Sequence, residues 1–459
     1  MKNLTPEIIA KVSGGRCITG KNYVSREIES ITTDSRKIEK DCMFVAIKGE
    51  RVDGNKFVPD AYKEGALCCI SENEPEGVEI DGCAYIVVDS CLQAVKDIAE
   101  YYREVCGTKI IGITGSVGKT STKEMIASVL SEKFNTLKTL GNFNNELGVP
   151  LTIFRLRPEH EVAIVEMGIS DFGEMTRLGK IVKPDACVIT NIGQCHLENL
   201  GDRDGVLKAK TEIFKYLKDG GTAYLNGDDD KLASVKDVNG KAPYKFGFDK
   251  SNDIYADNIV NHGLAGTELD AVTKDQIIHI KVPVPGKHMV SNALAAVAAG
   301  LDMGMTPEKI KAGISKFEAI GGHSSIYESD MFTIMDDCYN ANPVSMKAGI
   351  DVLSDVAGRK VAIIGDMFEL GTEEKEMHYD IGKYAAIKEI DCIICIGKLA
   401  KQYADGAKDA GKAEGVYYFE DRDSAIKEIP SILQKSDSIL VKASHGMHFE
   451  KIVDILKNM

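Results

Sequence analysis

The chain has 459 residues, 44% of them hydrophobic, and a formal charge of −14 at pH 7. That length points to about three domains, while the acidic balance argues against nucleic acid as a partner and offers no basic patch to an anionic membrane. Residues 1–16 lack a signal-peptide core, no apolar run approaches the ~18 residues of a membrane helix, and 12 cysteines are scattered through apolar contexts, so a reduced, cytoplasmic protein without membrane insertion is expected.

Residues 1–106 alternate predicted strands (43–47, 67–70, 85–88) with predicted helices (57–65, 92–103), the pattern of a small α/β binding module. Thr33-Asp-Ser-Arg36 and Lys48-Gly-Glu-Arg-Val-Asp-Gly54 lie beside these strands and on their own read as surface loops. From residue 107 the pattern changes to that of a nucleotide-binding domain. Apolar residues 110–113 predict a buried strand, and Met125, Ile126, Val129, Leu130 and Phe134 recur at helical spacing. Between them, Gly115-Ser-Val-Gly-Lys-Thr120 is a glycine loop that opens into a helix. Glycines let backbone N–H groups curl around an anion, and the helix N-terminus adds its positive end. Gly115, Ser116, Val117, Gly118, Lys119, Thr120 and Ser121 are therefore assigned to ATP, with Lys119 on the β/γ-phosphates and Thr120 on Mg²⁺. Ile113 stands where the strict phosphate-loop pattern has glycine.

Further along, Gly141-Asn-Phe-Asn-Asn-Glu-Leu-Gly-Val-Pro150 reads either as turns or as a loop whose amides bind a polar substrate. A strand over 162–165 ends in Glu166, a carboxylate beside the glycine loop where a Mg²⁺ contact belongs. A second strand, 186–190, delivers Asn191 and then His196 to the same edge. The predicted helix over 203–217 carries Val206, Ile213, Phe214 and Leu217 on its apolar stripe, and Lys210 falls within that stripe. Two readings stay open for it: a lysine that snorkels at the margin, or a buried neutral amine. The latter can add CO₂ to give a carbamate, an oxygen ligand for Mg²⁺. Residues 241–285 predict short antiparallel strands inserted on the domain. An alanine-rich helix then opens near Pro285, with Asn292 expected on its first turn, meeting a ligand or packed in the core.

From about residue 320, strands at 331–335, 361–365, 392–396 and 439–443 alternate with helices, predicting a parallel, doubly wound third domain. The first of them runs into Asp336-Asp-Cys-Tyr-Asn-Ala-Asn-Pro343. There is no G-x-G-x-x-G, so a dinucleotide is not supported. Cys392-Ile-Ile-Cys395 lies inside an apolar run without a second pair and reads as core rather than as a metal or redox site.

Taken together, these motifs resemble those of the Mur ligases, three-domain ATP-dependent amide ligases of peptidoglycan precursor synthesis, along essentially the whole chain. The family's shortened loop, T-G-S-x-G-K-T/S, corresponds to Thr114 to Thr120 and accounts for Ile113. Asp34, Ser35 and Arg36, with the Gly49 to Gly54 stretch, are similar to its uridine-nucleotide-binding segment. Gly141 to Asn145, Glu166-Met-Gly168, Thr190 to Gly193 and His196 fall in family order. Asp336 to Pro343 and Gly365-Asp-Met-Phe-Glu-Leu-Gly371 resemble the branch that adds D-alanyl-D-alanine to UDP-N-acetylmuramoyl-tripeptide; the D-N-P-R motif of the diamino-acid-adding branch is missing.

The resemblance implies an α/β fold in three domains: a small α/β N-terminal domain (1–106), a P-loop ATPase domain (107–318) and a Rossmann-like C-terminal domain (319–459). It implies catalytic roles for Lys119, Lys210, His196 and His323, and an acyl phosphate intermediate. Two Mg²⁺ sites are expected, Thr120 with Glu166, and His196 with a carbamylated Lys210. Asn292, Asp337 and Tyr339 are expected on the nucleotide, and Asn142, Asn145, Asn340 and Asn342 on substrate. A monomer is expected. Two positions depart from the family: Met289 replaces an asparagine after a histidine, and His323 stands where an arginine is usual. They motivate one alternative, a non-catalytic nucleotide-binding relative; the other, a folylpolyglutamate synthetase-like ligase on the same fold, is weakened by the Asp34-Ser-Arg36 segment and the Tyr339 to Pro343 run.

Overall fold

The computed structural model describes residues 1–49, 52–322, 325–412 and 414–459. Among these residues the strands form three sheets, of five, nine and six strands. The first runs Arg16–Thr19, Ala84–Val87, Cys68–Ser71, Met43–Val45, Ile31–Thr32, parallel except at Arg16–Thr19.

In the second sheet, strand Lys109–Thr114 lies between Val162–Glu166 and Ala186–Ile189, both parallel to it. Its side chains alternate between two cores, as a pleated strand requires. Ile111 and Ile113 face the helices Lys119–Leu130 and Lys287–Asp302. Ile110 faces the opposite core, which also contains residues of helices Glu174–Val182 and Cys91–Cys106. Helices on both faces explain why these strands read as continuous apolar runs.

Helix Cys91–Cys106 joins the first two sheets into one core. Tyr102 donates its hydroxyl to Leu156 O at 2.8 Å. Beside it, the buried Arg103 guanidinium donates to Val182 O at 2.8 Å and Asp185 Oδ2 at 3.0 Å.

Residues 241–285 differ from expectation. Tyr244–Gly247 pairs parallel to Thr222–Asn226, and Ile254–Asn261 pairs parallel to Tyr244–Gly247; only Thr267–Thr273 and Ile277–Val282 add antiparallel. The cause is Asp228, whose carboxylate accepts from Phe248 N (2.6 Å), Asp249 N (3.1 Å) and Asn252 Nδ2 (3.1 Å). The chain wraps around this carboxylate and returns in the same direction, so the segment extends the central sheet.

The third sheet runs Ser325–Glu328, Phe332–Asp336, Asp437–Lys442, Lys360–Gly365, Cys392–Ile396, Val416–Phe419, parallel apart from the first strand. Within Cys392–Ile396, Cys392 points into one core and Cys395 into the other, so the pair cannot share a metal or a disulfide. The core reading of these cysteines holds. Among the described residues no helix is long and apolar enough to cross a membrane.

Arg103 supplies a test of how the first two units are joined. Replacing it with Met strands the buried Val182 carbonyl and removes the guanidinium from Asp185, and should lower stability by about 2–4 kcal/mol. Arg26→Met, at the more exposed Asp41 pair, should cost only about 0–1 kcal/mol. Thermal unfolding compares the two, and equal losses would contradict this account.

Candidate active site

The C-terminal ends of the central parallel strands meet at one edge, beside a cleft of about 780 Å³. Residues 116–121, Glu166, Asn191 and His196 line it from the second sheet; Asp337, Tyr339, Asn340, Asn342 and Lys442 line it from the third.

The glycine loop is braced by the neighbouring strand end. Val117 N donates to Asn191 Oδ1 at 2.9 Å, while Asn191 Nδ2 and Thr190 Oγ1 donate to Val117 O at 3.0 and 2.6 Å. Gly115 has φ +149°, and a Cβ there would sit 1.9 Å from Thr190 Oγ1. Only glycine fits this approach. Lys119 folds back over the loop, its Nζ donating to Gly115 O at 2.9 Å.

Glu166 ends its strand 1% exposed. Thr120 Oγ1 donates to its carboxylate at 3.1 and 3.2 Å, and Asn144 Nδ2 donates to Oε1 at 2.8 Å. Lys123, fully buried one helical turn beyond Lys119, brings Nζ to 3.6 Å from Glu166 Oε2 and 3.1 Å from Glu124 Oε1.

His196 precedes the short helix Leu197–Leu200 with φ +51°, and its Nδ1 lies 2.7 Å from Glu369 Oε2. Burial pushes its pKa down despite the Glu369 charge, so the neutral imidazole is favoured; Lys210 and Lys119 act in the same direction. Helix Arg203–Thr211 carries Lys210 into the interior, 1% exposed, which excludes the snorkelling reading. Burial lowers its pKa to about 8, with Cys195 opposing and Lys119 adding to the shift.

These donors fit Mg²⁺, a hard cation that takes one or two carboxylates and completes its shell with phosphate and water. Among the described residues no three His, Cys, Asp or Glu side chains converge as a ready-made metal cage.

The remaining expected residues fall as follows. Asn292 lies on the second turn of its helix, which begins at Lys287. Its Oδ1 accepts from Thr122 Oγ1 at 2.9 Å, and it also lines the cleft. Met289 is 2% exposed behind it and takes a 3.5 Å contact from Asn292 Nδ2 on its sulfur. Asp337 accepts from Lys442 Nζ at 2.6 Å. Burial raises the Tyr339 pKa, the Glu166 charge adding to the shift and a hydrogen bond with Asn142 opposing it. Asn340 faces the cleft, while Asn342 caps helix Pro343–Ser354 through Ser345 N at 2.9 Å. Asn145 lines the cleft and accepts from Gly148 N at 2.8 Å. Asp34, Ser35 and Arg36 are not brought to this cleft. They form a turn on the first sheet, where Arg36 pairs with Asp34 and holds its carboxyl down to about 2. His323, Glu50 and Arg51 lie outside the described residues.

Sequence reasoning missed Asn144, Lys123 and Glu369. Asn144 stood within a quoted motif, and Lys123 shares the helical face of Lys119 and Thr120, so both carried a local signal. Glu369 also stood within a quoted motif, but nothing local named His196 as its partner, because the contact joins segments more than 170 residues apart.

Three family models match in succession: Mur ligase family, catalytic domain, over residues 27–103; Mur ligase middle domain over 113–300; and Mur ligase, glutamate ligase domain, over 317–445. The chain belongs to the Mur ligase family. It is 36% identical to the UDP-N-acetylmuramoyl-tripeptide--D-alanyl-D-alanine ligase of Bacillus subtilis, covering 99% of this chain and 98% of that one. The crystal structure of MurF from Acinetobacter baumannii, 32% identical, superposes over 99% of both chains with a TM-score of 0.90. The MurF ligase of Thermotoga maritima, solved in complex with ADP, is 26% identical with a TM-score of 0.82, over 94% of this chain and 97% of that one.

Lys119 approaches no carboxylate among the described residues of the cleft, so its charge is available to a phosphate. Lys119→Ala should leave the circular dichroism spectrum unchanged and reduce ATP-dependent phosphate release by at least about 100-fold. Near-normal release would contradict the assignment of the loop.

Proposed function

We infer that this chain is an ATP-dependent ligase that joins D-alanyl-D-alanine to UDP-N-acetylmuramoyl-tripeptide in peptidoglycan precursor synthesis. The observation that carries this reading is the cleft itself. A braced phosphate loop with a buried carboxylate faces a second wall built by another domain, in a chain similar over its whole length to ligases of that name. The same similarity weighs against the folylpolyglutamate alternative. Met289, buried behind Asn292 rather than lining the cleft, removes one motive for a non-catalytic relative.

A carboxylate is a poor electrophile. In the reaction we infer, the terminal carboxylate oxygen of the tripeptide attacks the γ-phosphorus of ATP and ADP leaves. The dipeptide amine then attacks the acyl carbon, loses a proton, and phosphate departs with the carboxylate oxygen. Both steps gather negative charge, so cations and positioning dominate. Lys119 neutralises the β/γ-phosphates. Lys442, buried at the third-domain wall and paired with Asp337, is the cation we assign to that side. Thr120 and Glu166 hold one Mg²⁺; His196 and a carbamylated Lys210 contact the second. When bound, Mg²⁺ spreads the charge of the phosphoryl oxygens. Asn292, Asp337 and Tyr339 serve the nucleotide; Asn142, Asn145, Asn340 and Asn342 serve the peptide substrates. Asp34, Ser35 and Arg36 serve the uridine nucleotide on the first domain. Closure of the three domains excludes the water that would hydrolyse an acyl phosphate.

The overall reaction is tested by mass spectrometry of the product formed from ATP, D-alanyl-D-alanine and candidate UDP-muramoyl peptides. A D-alanyl-D-alanine adduct of a UDP-muramoyl tripeptide is expected, and no adduct with any of them would contradict the reading. Lys210 has its own test. CO₂ adds to the neutral amine, whose fraction grows as pH rises through about 8. At constant dissolved CO₂, reactivation of CO₂-stripped enzyme should therefore increase from pH 7 to 9, and Lys210→Ala should be inactive but partly rescued by millimolar short-chain carboxylates. Activity indifferent to CO₂ removal at every pH would count against the carbamate.

A further inference from the structure

The loop Gly365 to Gly371 reaches out of the third domain and touches the second beside His196. It is braced at its base, where Met367 N donates to His378 Nε2 and Phe368 N donates to Ser444 Oγ, both at 2.9 Å. Leu370 is buried in the third-domain core, and Leu197, the residue after His196, packs against that same core. At the tip, Glu369 stands in the left-handed region with φ +61°, and His196 opposite it has φ +51°. Neither residue is glycine, so both backbones adopt a conformation that side chains usually avoid. The two turns meet so that Glu369 Oε2 lies 2.7 Å from His196 Nδ1.

We propose that Glu369 is a positioning residue for His196, holding the imidazole across the domain boundary in the tautomer that leaves Nε2 free for the metal position. A neutral imidazole carries one N–H, and a carboxylate only accepts. A carboxylate oxygen 2.7 Å from Nδ1 favours the tautomer with the hydrogen on Nδ1 and the lone pair on Nε2. His196 lines the cleft, and carboxylate–imidazole–metal chains of this kind set both ring orientation and ligand basicity. The Glu369 side chain is 61% exposed, so the pair adds little to stability, and its value lies in orientation. It follows that the second metal position is complete only while the third domain is docked. Metal loading is thereby tied to docking of the third domain.

This inference rests on His196 as a metal contact, and the experiment separates the two. Mn²⁺ binding is followed by electron paramagnetic resonance on the full-length protein with a non-hydrolysable ATP analogue, where no turnover occurs. Histidine-selective ¹⁵N spectra of the metal-free protein report the His196 tautomer. Glu369→Ala should weaken Mn²⁺ by about 10-fold or more and shift His196 away from the Nδ1–H form. Glu369→Gln, which keeps an acceptor oxygen, should retain most of both. Loss of affinity in His196→Ala with wild-type affinity and tautomer in Glu369→Ala would overturn the positioning role alone. Unchanged affinity in His196→Ala as well would overturn the metal reading and this inference with it.

Discussion

A carboxylate buried at the end of an apolar strand must be compensated by hydrogen bonds and opposite charge. Glu166 is that carboxylate, and much of the cleft is arranged around it. Thr120 reaches it from the phosphate-loop helix, Asn144 from the asparagine-rich loop, and Lys123 from one turn deeper in the same helix. A helix and a loop are thereby held to the end of one strand. The glycine loop is fixed independently by Thr190 and Asn191 from the next strand. The anion cradle and the acidic group beside it are formed by the protein's own contacts, so little reorganisation is left for the reaction itself.

The third domain completes this half-site from the opposite side. Lys442 would be an expensive buried charge by itself, and its bond to Asp337 offsets that cost while aiming both groups at the cleft. Tyr339 stands close enough to Glu166 to feel its charge. Water exclusion, which an activated acyl group needs, thus depends on an interface between domains rather than on one rigid pocket. The same division leaves the Asp34 to Arg36 turn on the first sheet, away from the cleft.

Legibility followed the range of the interactions. The strand, glycine loop and helix of residues 109–130 were readable because each signal is local. The opposite facing of Cys392 and Cys395 follows from the two-residue period of a strand. Lys210 was half readable: stripe position gives the direction of a side chain, not the depth of what covers it, and the cover comes from elsewhere in the fold. The parallel pairing of Tyr244–Gly247 and Ile254–Asn261 was hidden because Asp228, outside the segment, dictates the turn. The pairing of Glu369 with His196 was hidden for the same reason in stronger form, since the contact joins two domains.

The central claim is that the peptide carboxylate is activated by phosphoryl transfer within this cleft. It is tested most directly by labelling the terminal carboxylate oxygens of UDP-N-acetylmuramoyl-tripeptide with ¹⁸O and analysing the released phosphate by mass spectrometry. The account predicts one ¹⁸O atom in each phosphate formed, because the attacking oxygen leaves with phosphorus. Unlabelled phosphate accompanying full amide formation would contradict it.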